Sequence, residues 1–165
     1  MPNNFARCLD VVLSLEPTTE TSRLGFTQKT WQQWCGVNRP VTLADVLALT
    51  RADVEPAYGV FWRGCNANYL TDGVDLCVFD WCVNESVPVG NSGLQAALCV
   101  RERTEVANRV VGPVTIKEAV WGDPIVTIDM ICDERIRQCG DQARDRVEVI
   151  RSSAKAMAAA AQEAA

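Results

Sequence analysis

The first sixteen residues contain a hydrophobic stripe that ends on an acid. Apolar residues recur at three- and four-residue spacing from Phe5 to Leu13, which is typical of one face of an α-helix. The next position on that face is Glu16, and the following Pro17 disfavours helical geometry in the residue before it. The pattern therefore predicts a helix from a cap at Asn3 or Asn4 to Glu16, with a carboxyl group at the end of its apolar face.

Several further helices are indicated, and very little strand alternation is visible. Thr27 is expected to cap a short helix that is closed by Gly36. Thr42 and Thr50 are each followed three residues later by an aspartate, a shorter form of the capping box, so each is expected to start a helix. Pro56 should kink the second of these helices or set its true start.

The second half of the chain has clear helix boundaries. Residues 88–93, "PVGNSG", are predicted to form a turn-rich break before a helix over 94–100. Pro113 stands at an expected helix start, where proline is tolerated. The best-bounded helix begins after an Asp123 cap and ends at Gly140.

One stretch is apolar on every side. From Val74 to Val83 only Asp75 and Asp80 are polar, which is typical of a helix in the middle of a bundle. Asp80 and Asn84 lie one turn apart, and buried polar groups are normally paired. We therefore predict that both have internal partners in a buried structural role, which is favoured over a catalytic one.

The composition changes after residue 140. Alternating charges are followed by an alanine-rich end, which forms helix readily but has little to bury. We expect this tail to fray or to dock on a neighbour, as part of a homo- or hetero-oligomer. The predicted organisation is a mainly α domain over 1–140 and a charged, then alanine-rich helical tail over 141–165.

Charge and hydropathy narrow the classes of partner. The formal net charge is −5 and no basic patch is visible, so nucleic acid is not expected as a partner. No run of about 18 apolar residues is present, so no membrane span is expected. The N-terminus lacks the apolar core of a signal peptide, which predicts synthesis in the cytoplasm without one.

The eight cysteines are many for a chain without an export signal. No histidine and no CxxC pair accompany them, so neither a metal nor a cofactor is expected; a P-loop and a GxGxxG motif are also absent. On apolar helix faces a free thiol behaves as a small hydrophobe, which is the favoured interpretation of Cys8, Cys77 and Cys99. Disulfides remain open, because eight cysteines allow 105 full pairings.

Six segments together resemble a known family. In order, they are "FARCLDVVLSLE", "LGFTQKTWQQW", "VTLADVLALTRADVEPAYGVFW", "GVDLCVFDWCVN", "LQAAL" and "VVGPVTIKEAV". They are similar to glycoside hydrolase family 108, the phage endolysin and secretion-activator lysozymes, from Phe5 to about Arg135. The resemblance implies a lysozyme-like helical fold that cleaves peptidoglycan glycan strands. It also implies that residues from about 92 to 140 correspond to the family's peptidoglycan-binding helices.

The resemblance places the family's catalytic acid at Glu16. A carboxyl group on an apolar face, at the helix end where the dipole disfavours negative charge, is suited to stay protonated and to donate to a glycosidic oxygen. The alternative is a helix-terminal glutamate that reaches into solvent.

The segment after Glu16 departs from the family pattern. The family has a glycine-rich loop with aspartates at this point. Here only the ten residues "PTTETSRLGF" lie between Glu16 and Thr27, so the usual β and loop segment is shortened. Glycoside hydrolysis usually needs two carboxyl groups about 5 to 9.5 Å apart. Glu20 is the candidate partner, with Thr21, Ser22 or Thr27 as hydroxyls that could position water.

Three functions follow as hypotheses. The short loop, acidic charge, cysteines and tail favour a virion-associated structural component with degenerate or weak hydrolysis, bound to other phage structural proteins. The alternative is an active N-acetylmuramidase in which Glu16 donates a proton and Glu20 or a hydroxyl-held water completes the reaction. A third, a wall-binding module that recognises peptidoglycan, rests on "VVGPVTIKEAV" alone.

Overall fold

The computed structural model describes residues 4–36, 39–102 and 109–164, without the side chains of 99–102. Over these residues the chain forms nine α-helices, two short 3₁₀ turns and one two-stranded antiparallel sheet. In chain order the elements are α1 (Phe5–Ser14), β1 (Ser22–Arg23), β2 (Phe26–Thr27), α2 (Gln28–Cys35), α3 (Leu43–Leu47), α4 (Arg51–Gly64), α5 (Val74–Asn84), α6 (Val87–Glu102), α7 (Pro113–Trp121), α8 (Pro124–Cys139) and α9 (Arg144–Glu163). The 3₁₀ turns are Ala67–Tyr69 and Asp141–Ala143.

The predicted helix starts at Thr27, Thr42, Thr50 and Asp123 are confirmed. The Thr27 and Thr42 hydroxyls accept hydrogen bonds from backbone N–H groups in the first turns of α2 and α3. Asp53 reaches back to the backbone N–H of Thr50. The Asp123 carboxylate accepts from the backbone of Ile125 at the start of α8. These contacts satisfy N–H groups that a helix leaves free at its first turn.

Two boundaries in the first half were only approximately predicted. α1 begins after Asn4 and ends at Ser14, so Glu16 lies two residues beyond the helix and not within it. Asn3 lies outside the described residues. α4 begins at Arg51 and continues through Pro56, so the proline does not set the helix start.

The predicted break at residues 88–93 is wrong, because α6 runs through it without interruption. A Cβ atom at Gly93 would overlap the ring of Trp81, and one at Gly90 would overlap Cys82. The glycines therefore let α6 approach α5 closely, and they do not form a turn.

α5 is the central helix, as predicted. Every residue from Val74 to Cys82 is buried, and α4, α6, α8 and α9 surround the helix. The largest fully buried side chains include Trp81 and Phe79 of this helix. Phe79 contacts the rings of Phe5, Tyr58 and Trp62, which joins α1, α4 and α5 in one aromatic cluster.

The C-terminal helix belongs to the same core, so the expectation that this segment would fray is wrong, whereas its docking on a neighbour in a homo- or hetero-oligomer stays a prediction. α9 packs on α8 and α5 through a buried stripe that comprises Val147, Ile150, Ala154, Met157 and Ala158. Small alanines allow close helix packing, so a segment of low hydropathy still buries a continuous face. That residues 1–140 form a domain of their own stays a prediction.

The cysteines among the described residues are free thiols. Cys8 and Cys77 are buried in the apolar core, as predicted. Burial raises the pKa of the Cys8 thiol, and the contact with the Cys132 thiol, together with burial, raises the pKa of Cys77. The side chain of Cys99 lies outside the described residues. Among the described helices, none is long and apolar enough to cross a membrane.

Candidate active site

A tight hairpin follows the first helix. β1 and β2 pair with Ser22 opposite Thr27 and Arg23 opposite Phe26, so the turn consists of two residues. Both turn residues, Leu24 and Gly25, have positive φ angles, which match the twist of a two-residue hairpin. The Tyr58 hydroxyl donates to the carbonyl of Leu24 at 3.0 Å and fixes the hairpin against α4.

Glu16 lies beneath this turn. Its carboxylate accepts a hydrogen bond from Arg146 Nη2 at Oε1, at a distance of 2.8 Å, and its side chain is 13% exposed. A Cβ atom at Gly25 would lie 3.2 Å from Oε2 and would overlap the Tyr58 hydroxyl. Glycine is therefore required at position 25 for both its positive φ and the close approach of the turn to Glu16.

Arg146 connects Glu16 with Asp80. Nη2 of Arg146 also contacts Asp80 Oδ1 at 2.7 Å, and its Nε donates to the same carboxylate. Arg135 contacts the other oxygen, Asp80 Oδ2, at 2.7 Å. Asp80 is fully buried, so both arginines are needed to compensate its charge in the protein interior. Glu16, Asp80, Arg135 and Arg146 form what we call the charge cluster.

The predicted internal partners of buried Asp80 are thereby confirmed, whereas Asn84 is exposed and the prediction of a buried role for it is wrong. The Asn84 amide donates to the backbone carbonyl of Asp80 at 3.0 Å, while the two arginines hold the Asp80 carboxylate. The buried acid thus orients Arg146, and Arg146 orients Glu16. A polar cavity of about 190 Å³ adjoins the cluster, lined in part by Arg135 and Arg146.

The surroundings of Tyr58 are consistent with a neutral hydroxyl. Burial raises the pKa of Tyr58, and the negative charge of Glu16 raises it further. A neutral phenol can donate, as the bond to Leu24 requires. Tyr58 therefore positions the turn over Glu16.

The structure places the other two predicted site residues on the surface. Glu20 is exposed in the loop, and no contact joins it to Glu16 among the described residues. The Thr27 hydroxyl caps α2 together with Thr30. The Thr19 hydroxyl contacts those of Thr21 and Ser22. Catalytic roles for Glu20 and Thr27 stay predictions.

Sequence reasoning missed the arginines of the charge cluster. Asp80 in an apolar helix indicated that a buried partner exists, but Arg135 and Arg146 lie 55 and 66 residues further along the chain. Arg146 also belongs to the segment that was treated as a separate tail. Only the need for a cation could have been predicted, and not its identity.

A comparison with models of known families finds a match over the first half of the chain. Residues 17–85 match the model of the family described as Glycosyl hydrolase 108. The match covers the loop, the hairpin and α2 to α5, and it begins directly after Glu16. The predicted family is therefore confirmed for residues 17–85, whereas a phage origin and the terminal peptidoglycan-binding motif stay predictions.

The fold of the whole chain is similar to a solved structure, that of Brucella abortus SagA. The sequences are 22% identical, the TM-score is 0.76, and the alignment covers 96% of this chain and 97% of that chain. The likeness shows the fold and confirms a mainly α, lysozyme-like architecture that includes α9. No curated protein matches the chain.

The described residues contain no group of three or more His, Cys, Asp or Glu side chains that could hold a metal ion. The polar groups of the site are the charge cluster, the Tyr58 hydroxyl and the hydroxyls of the loop. These groups can hold and transfer protons and orient a polar substrate.

Proposed function

We propose that this glycosyl hydrolase 108 protein cleaves the glycan strands of peptidoglycan as an N-acetylmuramidase, with Glu16 as the proton donor. The observation that carries the proposal is the fixed position of Glu16, held by Arg146 on one side and covered by Gly25 on the other. Folding does not require such a cluster, because replacing buried ion pairs with apolar side chains is often neutral or stabilising.

The chemistry needs one proton transfer and one attack by water. Protonated Glu16 gives its proton to the glycosidic oxygen while the bond from that oxygen to the sugar carbon breaks. Water adds to the sugar carbon and releases a proton, which restores the acid. Arg146 is paired with Glu16 at 2.8 Å in this structure, so substrate binding must loosen this ion pair before the acid can donate.

The attacking water must be positioned by a polar group of the protein. The next carboxylate that the described contacts place near Glu16, through Arg146, is that of Asp80. It is fully buried and forms ion pairs with two arginines. Glu20 or the hydroxyls of Thr21, Ser22 or Thr27 are therefore the proposed water-positioning groups. An exposed loop fixes geometry poorly, so turnover is expected to be slow.

A second candidate is a virion-associated structural component with little or no hydrolysis. Within the described residues no carboxylate is in contact with Glu16, and the loop that follows Glu16 is short, which supports this alternative. In that case the chain is made in the bacterial host cytoplasm and assembles with other phage structural proteins. Recovery of the chain only as free protein, and never in purified particles, would argue against it.

Clearing of purified peptidoglycan separates the two candidates. The wild-type protein should clear a suspension slowly, and Glu16→Gln should abolish clearing while the circular dichroism spectrum stays unchanged. Glu163→Gln is the matched control, because it alters an exposed glutamate at the end of α9, away from the proposed site. No clearing by the wild-type protein would refute the hydrolase proposal, and equal clearing by Glu16→Gln would refute the role of Glu16.

A further inference from the structure

A groove separate from the charge cluster lies between α2, α3 and α4. Two adjoining cavities of about 340 and 260 Å³ share Trp31, Cys35 and Asp53 in their walls. The combined space is large enough for a small ligand segment.

Tryptophans form one wall of the groove. Trp31 and Trp34 are three residues apart on α2, so both project from the same side of the helix. Trp34 is 39% exposed and is supported by the ring of Phe61 at 6.1 Å. Trp31 is supported by Phe26 at 5.1 Å. Because other rings support both indoles, their faces are held in position before any ligand binds.

The rest of the groove combines an apolar floor with fixed polar groups. Leu49, Val41 and Ala57 are buried at its base. On the rim, Arg39 and Asp45 form a two-point ion pair, which leaves that pair with no net charge.

Asp53 is the remaining charged group on the rim. Its Oδ2 atom accepts from the backbone and the hydroxyl of Thr50, and these bonds hold the pKa of Asp53 below its ordinary value. Its Oδ1 atom takes part in neither bond, so an oriented, ionised acceptor faces the groove.

We propose that this groove binds N-acetylated amino sugars of a glycan strand. Indole faces pack against the apolar C–H faces of pyranose rings, and a fixed carboxylate accepts hydrogen bonds from sugar hydroxyls. The negative rim opposes phosphates and other anions, and an ionised acid in the wall opposes an acyl chain.

A chain of packed aromatic rings connects the groove with the charge cluster. Trp31 contacts Phe26, Phe26 contacts Tyr58 at 5.9 Å, and Tyr58 holds the turn that covers Glu16. A strand bound against Trp31 is therefore separated by one side chain from the hairpin that covers Glu16. This inference rests on the proposed glycan substrate and extends it to a second binding surface.

Binding of tetra-N-acetylchitotetraose tests the groove. Isothermal titration is carried out on Glu16→Gln protein, so that hydrolysis does not interfere. Adding Trp34→Ala should weaken binding by about tenfold or more, whereas Trp34→Phe should retain most of the affinity. Tyr69→Ala is the matched control, since Tyr69 is 60% exposed on the 3₁₀ turn Ala67–Tyr69 and lies outside the groove.

Two results would overturn the inference: no saturable binding by the Glu16→Gln protein at millimolar sugar, or the same affinity after Trp34→Ala. A failure of the proposed function is distinguishable from either. If Trp34→Ala reduces binding while the wild-type protein releases no sugar from peptidoglycan, the groove stands and the hydrolase proposal fails. If the wild-type protein hydrolyses peptidoglycan but Trp34→Ala has no effect on binding, the hydrolase proposal stands and the groove proposal fails.

Discussion

Replacement of Arg146 by methionine removes the residue that joins two carboxylates in the core. The variant loses a 2.8 Å contact to Glu16 and a 2.7 Å contact to Asp80, while most of the side-chain volume remains. Asp80 keeps Arg135 as a partner at 2.7 Å. The perturbation is therefore the loss of one of two compensating cations beside a fully buried charge.

The size of the effect follows from this geometry. Removing one partner of a buried ion pair usually costs about 3–5 kcal/mol, and the remaining Arg135 contact favours the lower end, about 3 kcal/mol. For a chain of this length, this loss corresponds to a fall of about 6–12 °C in Tm. Arg144→Met is the matched control on the same helix. Among the described residues Arg144 pairs with exposed Asp141, so its replacement should cost much less than that of Arg146.

Urea denaturation followed by circular dichroism measures both variants. Adding Glu16→Gln to Arg146→Met should recover part of the loss, because Glu16 is the carboxylate left without a cation, whereas Asp80 keeps Arg135. Equal, small losses for Arg146→Met and Arg144→Met would refute the claim that the charge cluster is a coupled unit. A larger loss in the double variant than in Arg146→Met would refute the electrostatic explanation.

Three further changes test other parts of the structure. Gly93→Ala places a methyl group against the Trp81 ring and should lower the free energy of unfolding by about 1–3 kcal/mol in urea titrations. Gly25→Ala should reduce peptidoglycan clearing more than Gly36→Ala, because only Gly25 is in contact with Glu16, although both have positive φ. Burial raises the pKa of Asp75 to about 6, so the folded state binds the proton more tightly than the unfolded state. The free energy of unfolding should therefore fall by up to about 3 kcal/mol from pH 4 to 6. In urea titrations, Asp75→Asn should flatten this fall.

Local signals made most helix boundaries predictable. Caps such as Thr42 and Asp123 act within three residues, so the sequence contains both partners of each contact. The buried helix over Val74–Cys82 was equally clear, because an uninterrupted apolar surface has no stable place outside a core.

Features that depend on distant partners were not predictable. Gly90 and Gly93 suggested a turn, but their role depends on the side chains of α5 that pack against them. The alanine-rich helix suggested an unpartnered tail, because alanine gives little hydrophobic signal even where it is buried. Glu16 could be singled out from its position, whereas its ion pair with Arg146 joins residues 130 apart and has no local signature.

Analysis of the sugar ends released from purified peptidoglycan tests the central proposal most directly. After incubation, borohydride reduction converts each new reducing end into a sugar alcohol that chromatography identifies. We expect the wild-type protein to produce reduced muramic acid, and the Glu16→Gln variant to produce none under the same conditions. Absence of reduced muramic acid with the wild-type protein, or equal amounts from both proteins, would contradict the account.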